Sequence, residues 1–241
     1  MFGRNKVAMI VAEFLGTATL TSVVLTMVYA PSGGYPSFFV AAGVGLVLVA
    51  VTLALGRVSG AQLNPAITIG MWSARLVKTL PAIVYIAAQL LGGVVAYALF
   101  SYFTKGNFPA TGKFDSHILV AEAVGTFVFS LGWAAAAYQK YETGKAAATV
   151  GVSLMLGVII ASVASAGLLN PAIALGAKNW VWGTYVLGPV LGSVIGFNLY
   201  ALLFAPKETL AEEGAVILGE SLATAQPRMV KSVGKAAKRR R

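Results

Sequence analysis

Two copies of the tripeptide Asn-Pro-Ala carry the polar groups best placed to do chemistry in this apolar chain. They are Asn64-Pro65-Ala66 and Asn170-Pro171-Ala172, and seven of the twelve positions around them (59–70 and 165–176) are identical. A side-chain amide donates and accepts hydrogen bonds but does not serve as an acid, a base or a nucleophile. The repeated motif therefore favours recognition of small hydrogen-bonding molecules over covalent chemistry.

Each motif predicts the start of a short helix. Asn suits the position that caps a helix, and Pro suits the first helical turn. We expect half-helices over 64–74 and 170–178, both too short to cross a bilayer because charged or Trp residues follow within about a dozen positions. Short helices at matching places in two halves of a membrane protein indicate a binding or conduction site.

The composition excludes several classes of protein. The chain has 241 residues, of which 58% are hydrophobic and 11% charged, whereas soluble domains are about a quarter charged. It is predicted to be an integral membrane protein. The chain has no Cys, a single His (His117) and eight carboxylates, so few side chains are available for metal binding or acid–base catalysis. We therefore expect no enzyme activity, no metal and no cofactor. The net charge of +10 is interpreted as topology and lipid contact, not as nucleic-acid binding.

The apolar runs predict six transmembrane helices, each near the roughly 20 residues that a bilayer requires. They cover about 7–29, 37–55, 81–103, 117–138, 146–164 and 181–204. The predicted fold class is all-α integral membrane, with six spanning helices and two half-helices.

The repeat extends beyond the two motifs. Residues 12–17 (Ala-Glu-Phe-Leu-Gly-Thr) match residues 121–126 (Ala-Glu-Ala-Val-Gly-Thr). Three crossings per half is an odd number, so the two halves must face opposite ways, as an inverted repeat. We expect a first repeat over 1–104, a connecting loop over 105–116, a second repeat over 117–206 and a basic cytoplasmic tail over 207–241.

The distribution of Lys and Arg predicts the orientation. With both termini in the cytoplasm, only Lys105, Lys113 and Lys178 of the 18 basic residues lie outside, which fits the positive-inside rule. We expect a multi-pass protein of the cell (plasma) membrane. The basic tail either docks on anionic lipid or is solvated and only reinforces the topology; the sequence leaves both open.

Glu13 and Glu122 are the carboxylates that lie well inside predicted spans, one in each half. An acid within the membrane is a functional candidate, with proton relay as one option. The alternative, which their symmetric placement favours, is that each accepts hydrogen bonds from the irregular segment of its own half.

The two half-helices should enter from opposite faces and meet near the midplane. Their positive ends repel cations there, and the Asn64 and Asn170 amides are left free to donate.

These residues resemble the aquaporin and aquaglyceroporin (major intrinsic protein) family. The resemblance covers about residues 7–204 and rests on the two Asn-Pro-Ala motifs, the paired Ala-Glu-x-x-Gly-Thr segments and Gly188-Pro189. It implies a right-handed six-helix bundle, one pore per protomer and a homotetramer. It also implies that Asn64 and Asn170 line the pore and that Glu13 and Glu122 brace the loops.

The sequence departs from the family at the outer selectivity filter. Members usually carry Arg directly after the second Asn-Pro-Ala, where this chain has Ile173, and the other filter positions fall on Val44, Val158 and Gly167. This outer filter has no charge, no side-chain donor and no ring, and we expect it to be unusually wide. Relatives often have His at the position of Arg57. We expect either that Arg57 places a positive charge in the inner vestibule or that it only anchors the topology through the positive-inside rule.

The predicted function is a passive channel for water and small neutral solutes of the glycerol, urea and ammonia class. One alternative is a gated or non-conducting structural member of the family, because hydrophobic constrictions can close by dewetting. A less favoured one is a proton-coupled transporter that uses Glu13 and Glu122.

Overall fold

The computed structural model describes residues 4–29, 34–106 and 112–206 of the chain. The predicted tail, 207–241, and residues 107–111 of the predicted connecting loop lie outside the described residues. The described part is helical: α1 (Arg4–Val28), α2 (Ser37–Ser59), α3 (Pro65–Ser73), α4 (Thr79–Thr104), α5 (Ser116–Tyr138), α6 (Thr143–Ala161), α7 (Pro171–Gly176) and α8 (Leu187–Leu203), with a π-helical segment, Trp182–Val186, leading into α8.

Among the described residues, six segments are long and apolar enough to cross a membrane: Asn5–Val28, Ser37–Ser59, Thr79–Thr104, Ser116–Tyr138, Thr143–Ala161 and Trp182–Leu203. They coincide with the six predicted spans to within a few residues. The predicted all-α membrane fold is confirmed.

The two short helices, α3 and α7, end where a basic residue adopts a left-handed backbone. Arg75 has φ of 63° and Lys178 has φ of 59°, a conformation that stops an α-helix. Helix α7 has six residues and α3 has nine, so α7 ends earlier than the predicted 170–178. The reason is that its left-handed residue comes about one turn sooner after the Asn-Pro-Ala motif.

Glycines let the spanning helices approach one another closely. A Cβ at Gly192 in α8 would lie 2.0 Å from the Ala123 carbonyl oxygen of α5, and a Cβ at Gly45 in α2 would lie 2.8 Å from the Gly151 carbonyl oxygen of α6. Helix association in lipid depends on such close van der Waals contact, because lipid tails are as apolar as the side chains themselves.

Gly192→Val is expected to lower the thermal unfolding midpoint in detergent by several degrees, because the new side chain would overlap backbone and separate α5 from α8. Overpacking of this kind costs about 1–3 kcal/mol, and more where backbone must move. Ile195→Val, at a side chain of α8 that is 56% exposed, is the control and should leave the midpoint unchanged. Equal midpoints for the two variants would show that this crossing tolerates added volume.

Carboxylates outside the membrane cap two of the spanning helices. Asp115 accepts hydrogen bonds from the N–H groups of Ile118 and His117 at the start of α5, and Glu142 accepts from those of Gly144 and Lys145 at the start of α6. These backbone donors hold the pKa of each carboxyl below its usual range. Each cap therefore contributes stability at neutral pH that is lost as the pH falls through the lowered pKa.

Candidate functional site

The N-termini of α3 and α7 meet and are tied together by the two Asn side chains. Asn64 Oδ1 accepts from the Ala66 N–H at 2.8 Å, and Asn170 Oδ1 accepts from the Ala172 N–H at 2.9 Å. The Asn64 amide nitrogen donates to the Leu169 carbonyl oxygen at 2.8 Å, and the Asn170 amide nitrogen donates to the Leu63 carbonyl oxygen at 2.9 Å. Each Asn thus caps its own helix and bonds to the loop of the other.

These cross-links correct the expectation that both amides are wholly free. A side-chain amide has two N–H groups, and one group of each Asn is taken by the opposite loop. The second N–H of each amide is not needed for the cross-link. Each Asn therefore has one donor to offer to a passing molecule.

The two loops reach this arrangement through unusual backbone conformations. Ala61 and Leu63 in the first loop each have φ of 52°, while Gly167 and Leu169 in the second have φ of 63° and 50°. A left-handed backbone is costly for Ala and Leu and persists only where the surroundings hold it. The surroundings here are two buried carboxylates.

Glu13 lies under the first loop and is fully buried. Its Oε1 accepts from the Ser59 hydroxyl at 2.6 Å and from the Gln62 N–H at 3.0 Å. Its Oε2 accepts from the Leu63 N–H at 2.7 Å and from the Gln89 side-chain amide at 2.8 Å. Both oxygens are fully engaged in holding the loop.

Glu122 occupies the corresponding position under the second loop and is equally buried. Its Oε1 accepts from the Leu168 N–H at 2.9 Å, and its Oε2 accepts from the Leu169 N–H at 2.7 Å. The Ser165 hydroxyl donates to the same carboxylate. The contacts match those of Glu13 residue for residue at the backbone.

The first half carries a polar network that the second half lacks. The Thr68 hydroxyl donates to Gln62 Oε1 at 2.7 Å, and the Gln89 amide donates to the Thr68 hydroxyl oxygen at 3.0 Å. In the repeat, the counterparts of Gln62 and Thr68 are Leu168 and Ala174. Sequence reasoning missed Gln62 as a site residue, although it is one of the few positions at which the two loops differ in polarity.

Three cavities follow one another toward the site from the face at which α1 ends and α2 begins. The first, which we call the vestibule, has a volume of about 150 Å³ and is lined by polar and apolar groups, among them Val40, Val158, Ser162, Ser165 and Ala166. The second, the outer cavity, shares Val40, Val158 and Ala166 with the vestibule and has a volume of about 10 Å³. The third, the central cavity, also has a volume of about 10 Å³, and Asn64, Asn170 and Gln62 lie on its wall.

All four residues predicted for the outer filter line the outer cavity. Val44, Val158, Gly167 and Ile173 come from α2, α6, the second loop and α7, and the fold brings them to one place. The outer cavity has a volume of about 10 Å³, which is about the room that a single water molecule takes. The unusually wide filter stays a prediction. Four further apolar side chains, which were not among the predicted filter residues, also line the outer cavity: Val24, Val40, Leu154 and Leu168.

Arg57 lies apart from these cavities. Its side chain is exposed near the end of α2, and its Nε donates to the Thr143 hydroxyl at the start of α6 at 3.1 Å. This bond gives Arg57 a role in joining α2 to α6. Its predicted place in an inner vestibule stays a prediction.

The sequence of this chain is similar to those of a known family of membrane proteins. The model of the major intrinsic protein family matches residues 4–200. Aquaporin Z of Photorhabdus laumondii is 30% identical over 82% of this chain and 97% of its own length. Aquaporin AqpM of Methanothermobacter thermautotrophicus is also 30% identical, over 80% of this chain and 96% of its own.

A solved structure shares the fold. The aquaglyceroporin of Plasmodium falciparum superimposes with a TM-score of 0.68 at 21% identity, covering 85% of this chain and 99% of that one. The family match spans the two Asn-Pro-Ala loops, the carboxylates beneath them and the residues that line the three cavities. The chain belongs to the major intrinsic protein family and is a membrane channel, not an enzyme.

Proposed function

We propose that this chain conducts water and small uncharged solutes passively, through the vestibule, the outer cavity and the central cavity in turn. The observation that carries the proposal is the pair of cross-linked Asn caps on the wall of the central cavity. Each retains one N–H that can donate to the oxygen of a solute. A neutral molecule with a lone pair fits this site better than an ion does.

The rejection of cations follows from the same arrangement. Each half-helix N-terminus carries up to about half a positive charge, and the two ends are held together by the Asn cross-links. A cation at the central cavity would face both ends and would find amide N–H groups where it needs oxygen ligands.

Val44, Val158, Gly167 and Ile173 form the outer filter in this proposal. With apolar walls and room for about one water molecule, the filter selects by size and by the cost of desolvation. Water should pass more readily than urea, and urea more readily than glycerol. The relatives named above are water channels by name and the solved structure is an aquaglyceroporin by name, so both solute classes belong in the test.

The setting of the channel is part of the proposal. We infer a homotetramer, which is typical of the family, in the cell (plasma) membrane. Both termini are placed in the cytoplasm, because the positive-inside rule puts Arg57 and most other basic residues on that side. The vestibule then opens to the outside. Anionic lipid is the proposed partner of the basic tail.

A gated or closed state is the second candidate, and the small volume of the outer and central cavities favours it. Apolar constrictions of this width can empty of water and block conduction. Proton-coupled transport is not favoured, because the oxygens of Glu13 and Glu122 already accept hydrogen bonds from the loops and neither residue lines the three cavities.

Stopped-flow light scattering on proteoliposomes tests the channel. Wild-type vesicles should shrink in hyperosmotic sucrose at least several-fold faster than empty liposomes, with weak temperature dependence. Urea and glycerol influx should be slower than water flux, in that order, because both solutes are larger than the single water molecule for which the outer cavity has room. Flux equal to that of empty liposomes for every solute would overturn the open channel and support the closed state.

A further inference from the structure

We propose that Leu154, Leu168 and Ile173 form the constriction that sets the rate and the specificity of this channel, and that Leu168 is the residue that keeps it dry. The inference rests on the proposed channel function. It places the decisive ring deeper than the four-residue outer filter, at the boundary with the central cavity. We call these three residues the leucine ring.

The position of the leucine ring follows from the cavities. Leu154, Leu168 and Ile173 line both the outer cavity and the central cavity, so any molecule that moves from one to the other passes between them. They come from three different parts of the fold, namely α6, the second loop and α7. Each side chain is at most 5% exposed, and none of the three carries a donor or an acceptor.

Leu168 is held at this place by its backbone. Its N–H donates to Glu122 Oε1 at 2.9 Å, and its neighbours Gly167 and Leu169 both adopt a left-handed backbone. A residue fixed on both sides in this way has little freedom to withdraw from the passage. The backbone of the second loop therefore fixes the position of Leu168, while α6 and α7 place Leu154 and Ile173.

The first loop carries a polar residue at the position that corresponds to Leu168. Gln62 is the counterpart of Leu168 in the repeat, and its N–H donates to Glu13 Oε1 at 3.0 Å, as that of Leu168 does to Glu122. Both side chains line the central cavity. The backbone contacts are thus the same in the two loops, while one side chain is polar and the other is not. The central cavity therefore has a polar wall at Gln62 and an apolar wall at Leu168.

The consequence for conduction is a step of desolvation. A water molecule that leaves the vestibule must give up its lateral hydrogen bonds in the leucine ring before it reaches the Asn64 and Asn170 donors. Losing hydrogen bonds without replacement is costly. The ring therefore slows water relative to a polar passage of the same width and favours small, neutral, weakly hydrated molecules over polyols.

The test separates polarity from size at one position. Leu168→Gln introduces the residue that the first loop already carries, with nearly the same volume, and should raise water flux about tenfold, which corresponds to a barrier lowered by about 1.4 kcal/mol. Glycerol flux should stay low in this variant, because the passage is still too narrow for a molecule of that size. Leu168→Ala should have the converse effect, since it widens the passage and so raises urea and glycerol flux.

Matched controls exclude an effect of the mutation elsewhere. Leu46→Gln makes the same exchange at a side chain of α2 that is 69% exposed and lines none of the three cavities, and should change water flux less than twofold. Leu168→Met keeps an apolar side chain of similar size, and its elution from size exclusion, which should match that of the wild type, reports whether the loop tolerates substitution at this position.

Each result decides the question. A conducting wild type with unchanged water flux in Leu168→Gln would overturn the leucine ring and leave the channel intact. A wild type at the level of empty liposomes with a conducting Leu168→Gln would establish the ring as a closed gate. If both proteins stay at that level while Leu168→Met folds normally, the channel and the ring fail together.

Discussion

Glu122→Leu should abolish water flux and reduce the yield of folded protein several-fold. The substitution removes the acceptor for the N–H groups of Leu168 and Leu169, both buried. Each unpaired buried donor costs about 1–3 kcal/mol, a large share of the 5–15 kcal/mol that typically separates folded from unfolded protein. The strained backbone of Leu169 then loses the contact that holds it. The measurement is folded yield by size exclusion, followed by stopped-flow water flux.

Glu142→Leu is the matched control for this prediction. Glu142 also accepts hydrogen bonds from two consecutive backbone N–H groups, those of Gly144 and Lys145, at 2.9 and 2.6 Å. It is fully solvent-exposed, so water takes over both donors when the carboxylate is removed. We expect near-normal yield and flux. Equal loss in the two variants would show that burial of the carboxylate is not what makes Glu122 indispensable.

Asn170→Asp should open the channel to small cations. The carboxylate still accepts from the Ala172 N–H, so α7 keeps its cap, but the donor to the Leu63 carbonyl oxygen is lost. One negative charge also offsets the roughly one positive charge that two helix N-termini supply together. The expected result is a Na⁺ or proton leak in dye-loaded proteoliposomes, with reduced water flux. Both effects arise at the wall of the central cavity.

Asn198→Asp makes the same exchange at an exposed Asn of α8, whose amide bonds to Ser73 and to the Val194 carbonyl oxygen. Vesicles that contain this variant should show no cation leak. If vesicles with Asn170→Asp show no leak either, cation rejection does not arise at the helix ends. The dry leucine ring, which an ion cannot enter without losing its hydration, would then be the barrier.

Local patterns predicted most of the fold. Apolar runs of about 20 residues located the spanning helices, and Asn followed by Pro located the starts of α3 and α7, because capping and the fixed φ of Pro act within a few residues. The end of α7 was misplaced, since it depends on the left-handed backbone at Lys178, and Lys has no preference for that conformation. The π-helical start of the last span, Trp182–Val186, has no sequence signal that we could identify.

The interior of the site was harder to predict. Counting along the sequence found the four filter positions, and the structure brings them together at the outer cavity. Counting could not reveal that Leu154 and Leu168 fill the space beside them, because the width of a passage depends on every side chain that reaches it. The cross-links of Asn64 and Asn170 were missed for a related reason, since a partner more than 100 residues away leaves no local trace.

Those cross-links also govern how the protein can be made. Asn64 bonds to the carbonyl oxygen of a residue 105 positions later in the chain, and Asn170 bonds to one 107 positions earlier. During synthesis the first loop enters the membrane with its amide and its carbonyl unmatched, and it stays so until the second loop has been translated and inserted. The first half alone therefore cannot complete its hydrogen bonds, and the two cross-links form only after the second loop has reached the bilayer.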